Sequence, residues 1–157
     1  MIRKANINDA TAIAEIYNYY VDNTIITFAE THITAQEIET QIQEEFPWYV
    51  WDEGGKVLGY AHASKFKSRC AYKTSVETTI YLHPQSTGKG IGSALYQKLI
   101  DELDNTGYHS LIGGISLPNP ASVALHEKFG YEKAAHFKEI GNKFGEFVDV
   151  GYWQRIC

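Results

Sequence analysis

The sequence has few of the features that would direct a chain to a membrane, to an oxidising compartment or to a metal. Its two cysteines, Cys70 and Cys157, form no Cys-x-x-Cys motif, and its six histidines show no metal-ligand spacing. No apolar run approaches the roughly 18 residues that a membrane-spanning helix needs, and the first residues lack the apolar core of a signal peptide. We therefore expect a cytoplasmic protein without a disulfide framework, a bound metal or a membrane partner.

A strong charge of either sign is also missing. The net charge is −5 and there is no basic block, which argues against a nucleic-acid partner. What the chain does contain is typical of a globular protein, since 44% of its residues are hydrophobic and 21% are charged. A length of 157 residues suits one core, so we expect residues 1–157 to form a single domain.

Hydrophobic patterns and turn residues predict the element order β, α, α, β, β, β, α, β, α, β, β. Asp9 is placed to cap the first helix, and Thr34 forms a capping box with Glu37 at the start of the second. The predicted strands cover residues 2–5, 48–51, 56–63, 75–82, 109–115, 131–135 and 147–154, and the later helices cover residues 90–103 and 119–129. Strands and helices alternate only in the second half, so the prediction is an α/β (α+β) fold with a mixed central sheet.

The most informative stretch is a glycine-rich loop between the strand at 75–82 and the helix after it. It reads Gln85-Ser86-Thr87-Gly88-Lys89-Gly90-Ile91-Gly92. Glycines at such a junction leave backbone N–H groups accessible, and the dipole of the following helix favours an anion there. Lys89 adds a cation. The pattern predicts a phosphate or pyrophosphate site, and the alternative is a turn that merely caps the helix.

The spacing of the glycines narrows the choice of ligand class. Gly88, Gly90 and Gly92 match neither the order of a P-loop nor the Gly-x-Gly-x-x-Gly order of a dinucleotide fold. The segment from Gln85 to Gly90 does fit Gln-x-x-Gly-x-Gly, and it resembles the coenzyme A pyrophosphate loop of the GNAT superfamily of N-acetyltransferases. The resemblance implies a GNAT fold, with helices on both faces of the sheet, and acetyl-CoA as the donor.

A second block, residues 119–131, supports the same resemblance. It begins with Asn119, a residue type that contacts the coenzyme A arm in GNAT enzymes, and it closes with Gly130-Tyr131. His126 stands where many GNAT enzymes carry a tyrosine that protonates the departing thiolate. An imidazole can donate that proton, although a helical histidine packed against the sheet fits the pattern equally well.

Glu77 stands out because it lies in an otherwise apolar or β-branched strand. A carboxylate in such a strand is costly unless it is paired or useful. Acetyl transfer needs a neutral amine, and a carboxylate near the thioester can accept the amine's proton directly or through water. An exposed glutamate on an edge strand is the alternative interpretation.

Lys67, Arg69 and Tyr72 lie in a basic loop before that strand. A guanidinium suits two-pronged capture of a carboxylate or a phosphinate, and a tyrosine adds a hydroxyl. By itself, such a loop is also typical of a solvated surface segment.

Segments along nearly the whole chain resemble the phosphinothricin N-acetyltransferase family, which includes methionine sulfoximine and methionine sulfone acetyltransferases. They follow in order as Thr24-Ile25-Ile26-Thr27-Phe28, Phe46-Pro47-Trp48, Gly59-Tyr60-Ala61, Lys67-Ser68-Arg69-Cys70-Ala71-Tyr72, Glu77-Thr78-Thr79-Ile80-Tyr81, Leu125-His126-Glu127 and residues 145–154. His126 is the usual residue at its position in that family, whose members are typically homodimers.

The resemblance implies a role for each matched position. Glu77 corresponds to the proposed catalytic base, and His126 lies at the position of the proton donor. The acceptor pocket would be formed by Phe28, Lys67, Arg69 and Tyr72. The coenzyme would be bound by Ile80, Tyr81, Leu82, Gly88, Lys89, Gly90, Ile91, Gly92, Ser93, Asn119 and Lys128.

The expected activity is acetylation of the α-amino group of a small amino acid such as phosphinothricin, methionine sulfoximine or methionine sulfone, by direct attack on the thioester of acetyl-CoA. Cys70 has no base beside it in sequence, so an acyl-enzyme is not expected. One alternative is a different amine, such as a peptide N-terminus, which an open and acidic groove would favour. Another is a non-catalytic acyl-CoA-binding protein, against which the presence of Glu77 and His126 argues.

Overall fold

Seven strands form one sheet in the order β1-β2-β3-β4-β5-β7-β6 in the computed structural model, which describes all 157 residues. The elements are β1 (Ile2–Lys4), α1 (Ala10–Asn23), α2 (Ala35–Ile42), β2 (Trp48–Glu53), β3 (Lys56–Lys65), β4 (Ser75–Leu82), α3 (Ile91–Asp104), β5 (Ser110–Leu117), α4 (Pro120–Lys128), β6 (Glu132–Lys143) and β7 (Glu146–Ile156). The predicted order of strands and helices is confirmed. None of the helices has both the length and the apolar character needed to span a bilayer.

The sheet is mixed, as predicted, because β4 and β5 run parallel while every other pair of neighbours is antiparallel. Strand β4 lies in the middle of the sheet between β3 and β5. Glu77 therefore does not belong to an edge strand, and that alternative interpretation of its strand is wrong.

Two hydrophobic clusters cover the two faces of the sheet. Helix α3 packs Leu95 and Leu99 against one face, together with Tyr49 of β2. Helices α1 and α2 pack Ile13 and Ile38 against the other face, where they meet Val50 of the same strand. Neighbouring residues of a strand point to opposite faces, so β2 contributes to both clusters in alternation.

One of the two predicted helix caps is present in the structure, and the other is not. The capping box at α2 is confirmed, because the Thr34 hydroxyl accepts from the Glu37 N–H and the Glu37 carboxylate accepts from the Thr34 N–H, both at 3.1 Å. Asp9 occupies the position before α1 but makes no side-chain bond to that helix. Its carboxylate instead accepts two bonds of 2.8 Å from Arg3 and one of 2.9 Å from the Asn6 N–H, and these bonds occupy both of its oxygens.

Strand β6 is much longer than the predicted segment at 131–135. Its second half contains polar residues and a glycine, which carry little strand propensity. It is a strand because it pairs with β7, with irregular register between Phe137 and Gly141. The long β6–β7 hairpin borders the cavity described next.

Candidate active site

The parallel strands β4 and β5 diverge after three paired residues. Residues 75–77 pair with residues 110–112, and beyond them Thr78 to Leu82 pair only with β3 while Gly113 to Leu117 pair only with β7. An open gap inside a sheet leaves backbone N–H and C=O groups without a strand partner, which an extended ligand with amide groups can use. Glu77 is the last residue of β4 that pairs with β5, and it lies where the gap begins.

A groove of about 350 Å³ runs along the gap to the glycine-rich loop. Gly88 and Gly90 adopt positive φ angles of 75° and 79°, and Gly90 directly precedes α3 without a side-chain cap. The first N–H groups of α3 therefore remain available for an anion. Eight of the eleven predicted coenzyme residues line this groove, namely Ile80, Tyr81, Leu82, Gly88, Gly90, Gly92, Ser93 and Asn119.

The other three predicted coenzyme residues have different placements. Ile91 is buried in the α3 core, and the Lys89 side chain is exposed on the loop. Lys128 lies outside the groove wall, but its ammonium donates to the Ser93 hydroxyl at 3.0 Å. Asn119 accepts from the Ser122 N–H at 3.2 Å, and this bond caps α4 beside the groove.

The groove opens at its inner end into a cavity of about 430 Å³. Ile80, Tyr81 and Asn119 line both spaces, so the two are continuous. Glu77 and His126 line the same inner cavity, although Glu77 belongs to β4 and His126 to α4. The structure thus brings together the two residues that the sequence marked as catalytic.

Glu77 is half-buried, and its carboxylate makes no hydrogen bond or ion pair within the protein. Burial raises the pKa of Glu77, while the nearby positive charge of Lys67 lowers it by a smaller amount. A carboxylate with a raised pKa and free oxygens in a cavity has the properties of a general base.

His126 is 4% exposed and its two ring nitrogens both have partners. Nδ1 lies 2.7 Å from the Ser122 carbonyl oxygen, which can only accept, so Nδ1 carries the proton. Nε2 then accepts from the Tyr96 hydroxyl at 2.9 Å. Burial lowers the pKa of His126, and the hydrogen bond to Ser122 opposes this shift. The ring is therefore neutral and held in one tautomer.

Sequence reasoning missed the polar network beyond His126. Tyr96 also bonds Thr78 at 2.6 Å, and Thr78 bonds Tyr131 at 2.8 Å. Thr78 is the first residue of β4 that does not pair with β5, so the network lies at the point where these two strands separate. A tyrosine in the apolar stripe of a helix is typical of core packing, and no sequence signal distinguishes Tyr96 from it.

A second cavity of about 540 Å³ lies on the other side of Glu77 and shares that residue with the first. Lys67 lines the second cavity and Phe28 lines the first, as expected of acceptor residues. Arg69 and Tyr72 line neither: both are exposed, Arg69 makes no side-chain hydrogen bond, and the Tyr72 ring contacts Phe66. Their acceptor roles stay predictions.

Comparisons with known proteins agree with this geometry. A family model described as Acetyltransferase (GNAT) domain matches residues 2–151. The chain is 38% identical over 154 residues to phosphinothricin N-acetyltransferase of Streptomyces coelicolor, covering 94% of this chain and 90% of that protein. It is 34% identical over 157 residues to L-methionine sulfoximine/L-methionine sulfone acetyltransferase of Salmonella typhimurium, covering 98% and 92%.

A solved structure shows the same fold. The phosphinothricin acetyltransferase of Sinorhizobium meliloti in complex with acetyl-CoA superposes with a TM-score of 0.95 at 37% identity, covering 99% of this chain and 87% of that one. The chain belongs to the GNAT acetyltransferase family, and it is an acyltransferase. The predicted fold and the resemblance to phosphinothricin and methionine sulfoximine acetyltransferases are confirmed.

Proposed function

We propose that this enzyme transfers the acetyl group of acetyl-CoA to the α-amino group of a small amino acid such as phosphinothricin, methionine sulfoximine or methionine sulfone. Residues 1–157 would act as one catalytic domain. The observation that carries the proposal is the continuous path from the glycine loop, along the unpaired edge of β4, to a half-buried carboxylate.

The groove suits the chemistry of coenzyme A. The open N–H groups before α3 would bind the pyrophosphate, with Lys89 as an exposed cation nearby. The amides of the pantetheine arm would pair with the backbone of Thr78 to Leu82 on the side that β5 leaves open. This arrangement directs the thioester towards the cavity that Glu77 and His126 line.

Direct attack by the acceptor amine then needs a base and a way to discharge the thiolate. Glu77 would accept the amine's proton, directly or through water, because its carboxylate is free and its pKa is raised by burial. His126 would donate a hydrogen bond from Nδ1 to the thioester or the departing thiolate, after releasing the Ser122 carbonyl, and the proton accepted by Glu77 would then pass to the thiolate. Cys70 is exposed and lines neither cavity, which gives no support to an acyl-enzyme.

The two cavities favour a small acceptor over a peptide. Their walls are mainly apolar and contain one acidic residue, Glu77, and one cation, Lys67. A peptide N-terminus would be favoured by an open acidic groove, which these walls do not form. An amino acid could place its amine at Glu77 and its carboxylate or side-chain anion near Lys67.

We also propose that the enzyme is a homodimer that works in the cytoplasm. The β6–β7 hairpin exposes large apolar side chains, including Ile140 at 60%, Phe144 at 61% and Phe147 at 67%. Such a patch is typical of a protein interface. Two free, exposed thiols suit a reducing compartment. Light scattering should give twice 17.7 kDa for the wild type and a lower mass for Phe147→Ser.

The decisive experiment is a panel of amines assayed with acetyl-CoA and a thiol-release readout. The panel contains phosphinothricin, methionine sulfoximine, methionine sulfone, ordinary amino acids and a short peptide. The proposal expects the highest kcat/KM for amino acids with a tetrahedral phosphinyl or sulfonyl-type side chain. A preference for the peptide, or binding of acetyl-CoA without any turnover, would replace it with one of the alternatives.

A further inference from the structure

Lys143, at the end of β6, is a lysine that is only 1% exposed. Lysine is almost never fully buried unless it is paired, yet no carboxylate lies within ion-pair distance of this one. Its ammonium donates instead to three backbone carbonyls, those of Thr24 and Thr27 at 2.7 Å and that of Tyr20 at 3.5 Å. An ammonium has three protons, so this set accounts for all of them.

The three carbonyls belong to the end of α1 and to the segment that follows it. Helix α1 has no basic residue in its last turn, where the helix dipole favours a cation. Lys143 supplies that cation from a distant strand. Beyond Asn23 the chain forms no regular helix or strand until α2, so side-chain and turn contacts, and not helix or ladder hydrogen bonds, fix the path of this segment.

The same segment forms one wall of the cavity that contains Glu77. Ile26, Thr27 and Phe28 all line it, and the Thr27 hydroxyl is bonded to the Tyr17 hydroxyl at 2.8 Å. The Phe28 side chain is 39% exposed, so packing alone does not hold it tightly. The shape of this wall therefore depends on the backbone that Lys143 binds.

Strand β6 meets this wall at a second point. Gly141 lies two residues before Lys143, and the Phe28 ring lies so close to it that an added Cβ would overlap the ring. The strand thus contacts the segment through a charged group at Lys143 and through close packing at Gly141. Ile26 also lines the coenzyme groove, whereas Thr27 and Phe28 line only the inner cavity, so the contact at Phe28 acts on the inner cavity.

We propose that Lys143 is a positioning residue for acceptor binding: it holds the backbone of residues 24–27 so that Phe28 stays against Gly141 and forms the wall on which the acceptor packs. Lys143 lines neither cavity and touches no reactant. The proposal rests on the acetyltransferase function proposed above, because it assigns this cavity to the acceptor.

The first test compares kinetics of Lys143→Met with the wild type. Losing a charge-assisted set of bonds should raise the acceptor KM by roughly 10- to 100-fold, while the KM for acetyl-CoA stays unchanged. Lys138→Met is the matched control, since Lys138 is an exposed lysine on the same strand without a hydrogen bond. An equal rise in both KM values, or an unchanged acceptor KM, would overturn the proposal.

The second test does not need an acceptor. Amide hydrogen exchange in residues 24–28 should become faster in Lys143→Met, while exchange in the core of α3 stays slow. Unchanged exchange in residues 24–28 would refute the positioning role of Lys143, whatever the substrate is. If the wild type does not acetylate amino acids but exchange is faster in the variant, the proposed function is refuted, whereas the hold of Lys143 on residues 24–27 is supported.

A further variant keeps the proposal testable if Lys143→Met does not fold. Gly141→Ala retains the lysine but displaces the Phe28 ring, and it should raise the acceptor KM in the same selective way. With Phe28→Ala as background, Gly141→Ala should have no additional effect, because the displaced ring is gone. Additive effects of the two substitutions would contradict a shared mechanism.

Discussion

Replacing Glu77 by glutamine tests the proposed base with the smallest change of shape. The carboxylate is half-buried, has no hydrogen-bond partner in the protein and lines both cavities. If it is the sole general base, kcat should fall by roughly 10²–10⁴-fold, which raises the activation barrier by about 3–5 kcal/mol. Binding of acetyl-CoA should change little, because Glu77 does not line the groove at the glycine loop.

The pH profile adds a second signature. In the wild type, the rate should fall at low pH as Glu77 becomes protonated, at a pH above the usual glutamate range because burial raises its pKa. In Glu77→Gln the fall in rate that is caused by protonation of Glu77 should disappear. The rate should instead rise by about tenfold per pH unit while the amine is mostly protonated. Stopped assays from acid to mildly alkaline pH would measure both profiles.

The stability of the same variant separates catalysis from folding. A carboxylate whose pKa is raised on folding destabilises the native state above its folded pKa, and this penalty vanishes below the unfolded pKa of about 4.3. The neutral glutamine carries no such penalty, so Glu77→Gln should be at least as stable as the wild type near pH 7. Glu132→Gln, on the exposed start of β6, is the control.

Two outcomes would refute this reasoning. A kcat equal to the wild-type value at every pH would remove Glu77 from the proton transfer. A loss of activity that tracks a loss of thermal stability would make Glu77 a structural residue. The expected combination is a strong loss of kcat with an unchanged or higher Tm, which a merely structural role does not produce.

Two further predictions concern the coenzyme loop and the acceptor pocket. Gly90→Val should abolish measurable acetyl-CoA binding in calorimetry. The control is Gly107→Val, which has a similar positive φ outside the groove and should cost similar stability while leaving binding intact. Equal binding in both variants would refute the loop assignment. Lys67→Met should raise the acceptor KM by roughly 10- to 100-fold and shift the acid limb of Glu77 to higher pH, since Lys67 lowers its pKa. Arg69→Ala tests the predicted acceptor role of Arg69, whose side chain is exposed and lines neither cavity. A similar rise in the acceptor KM would confirm that role, and an unchanged KM would leave Lys67 as the anchoring residue.

Local features of the sequence predicted local structure well. The capping box at Thr34 and the glycine turn before β3 depend on neighbouring residues, so their signals are contained in short segments. The glycine loop is similar, because the strand, the loop and the start of α3 follow one another directly. The order of elements and the position of the glycine loop before α3 could therefore be predicted from the chain alone.

The site itself depends on contacts between distant segments. The gap between β4 and β5 arises because pairing stops after Glu77, and no residue pattern within β4 marks that point. The burial of His126 and the partner of its Nε2 are decided by Tyr96 on another helix and by the close approach of Gly113. Arg69 and Lys67 lie in the same basic loop, yet only the fold reveals that Lys67 faces the cavity.

The sequence by itself determined the family and the mixed sheet, and it marked the glycine loop and Glu77 as candidates for the site, because each depends on residue types at short spacing. The tertiary structure alone decided which loop residues line the cavities, which partner the Nε2 atom of His126 has and what holds the wall containing Phe28. Lys143 shows the physical reason most clearly. A lysine in a polar hairpin is typical of a solvated side chain, and its burial follows only when three carbonyls from the far end of the chain converge on its ammonium.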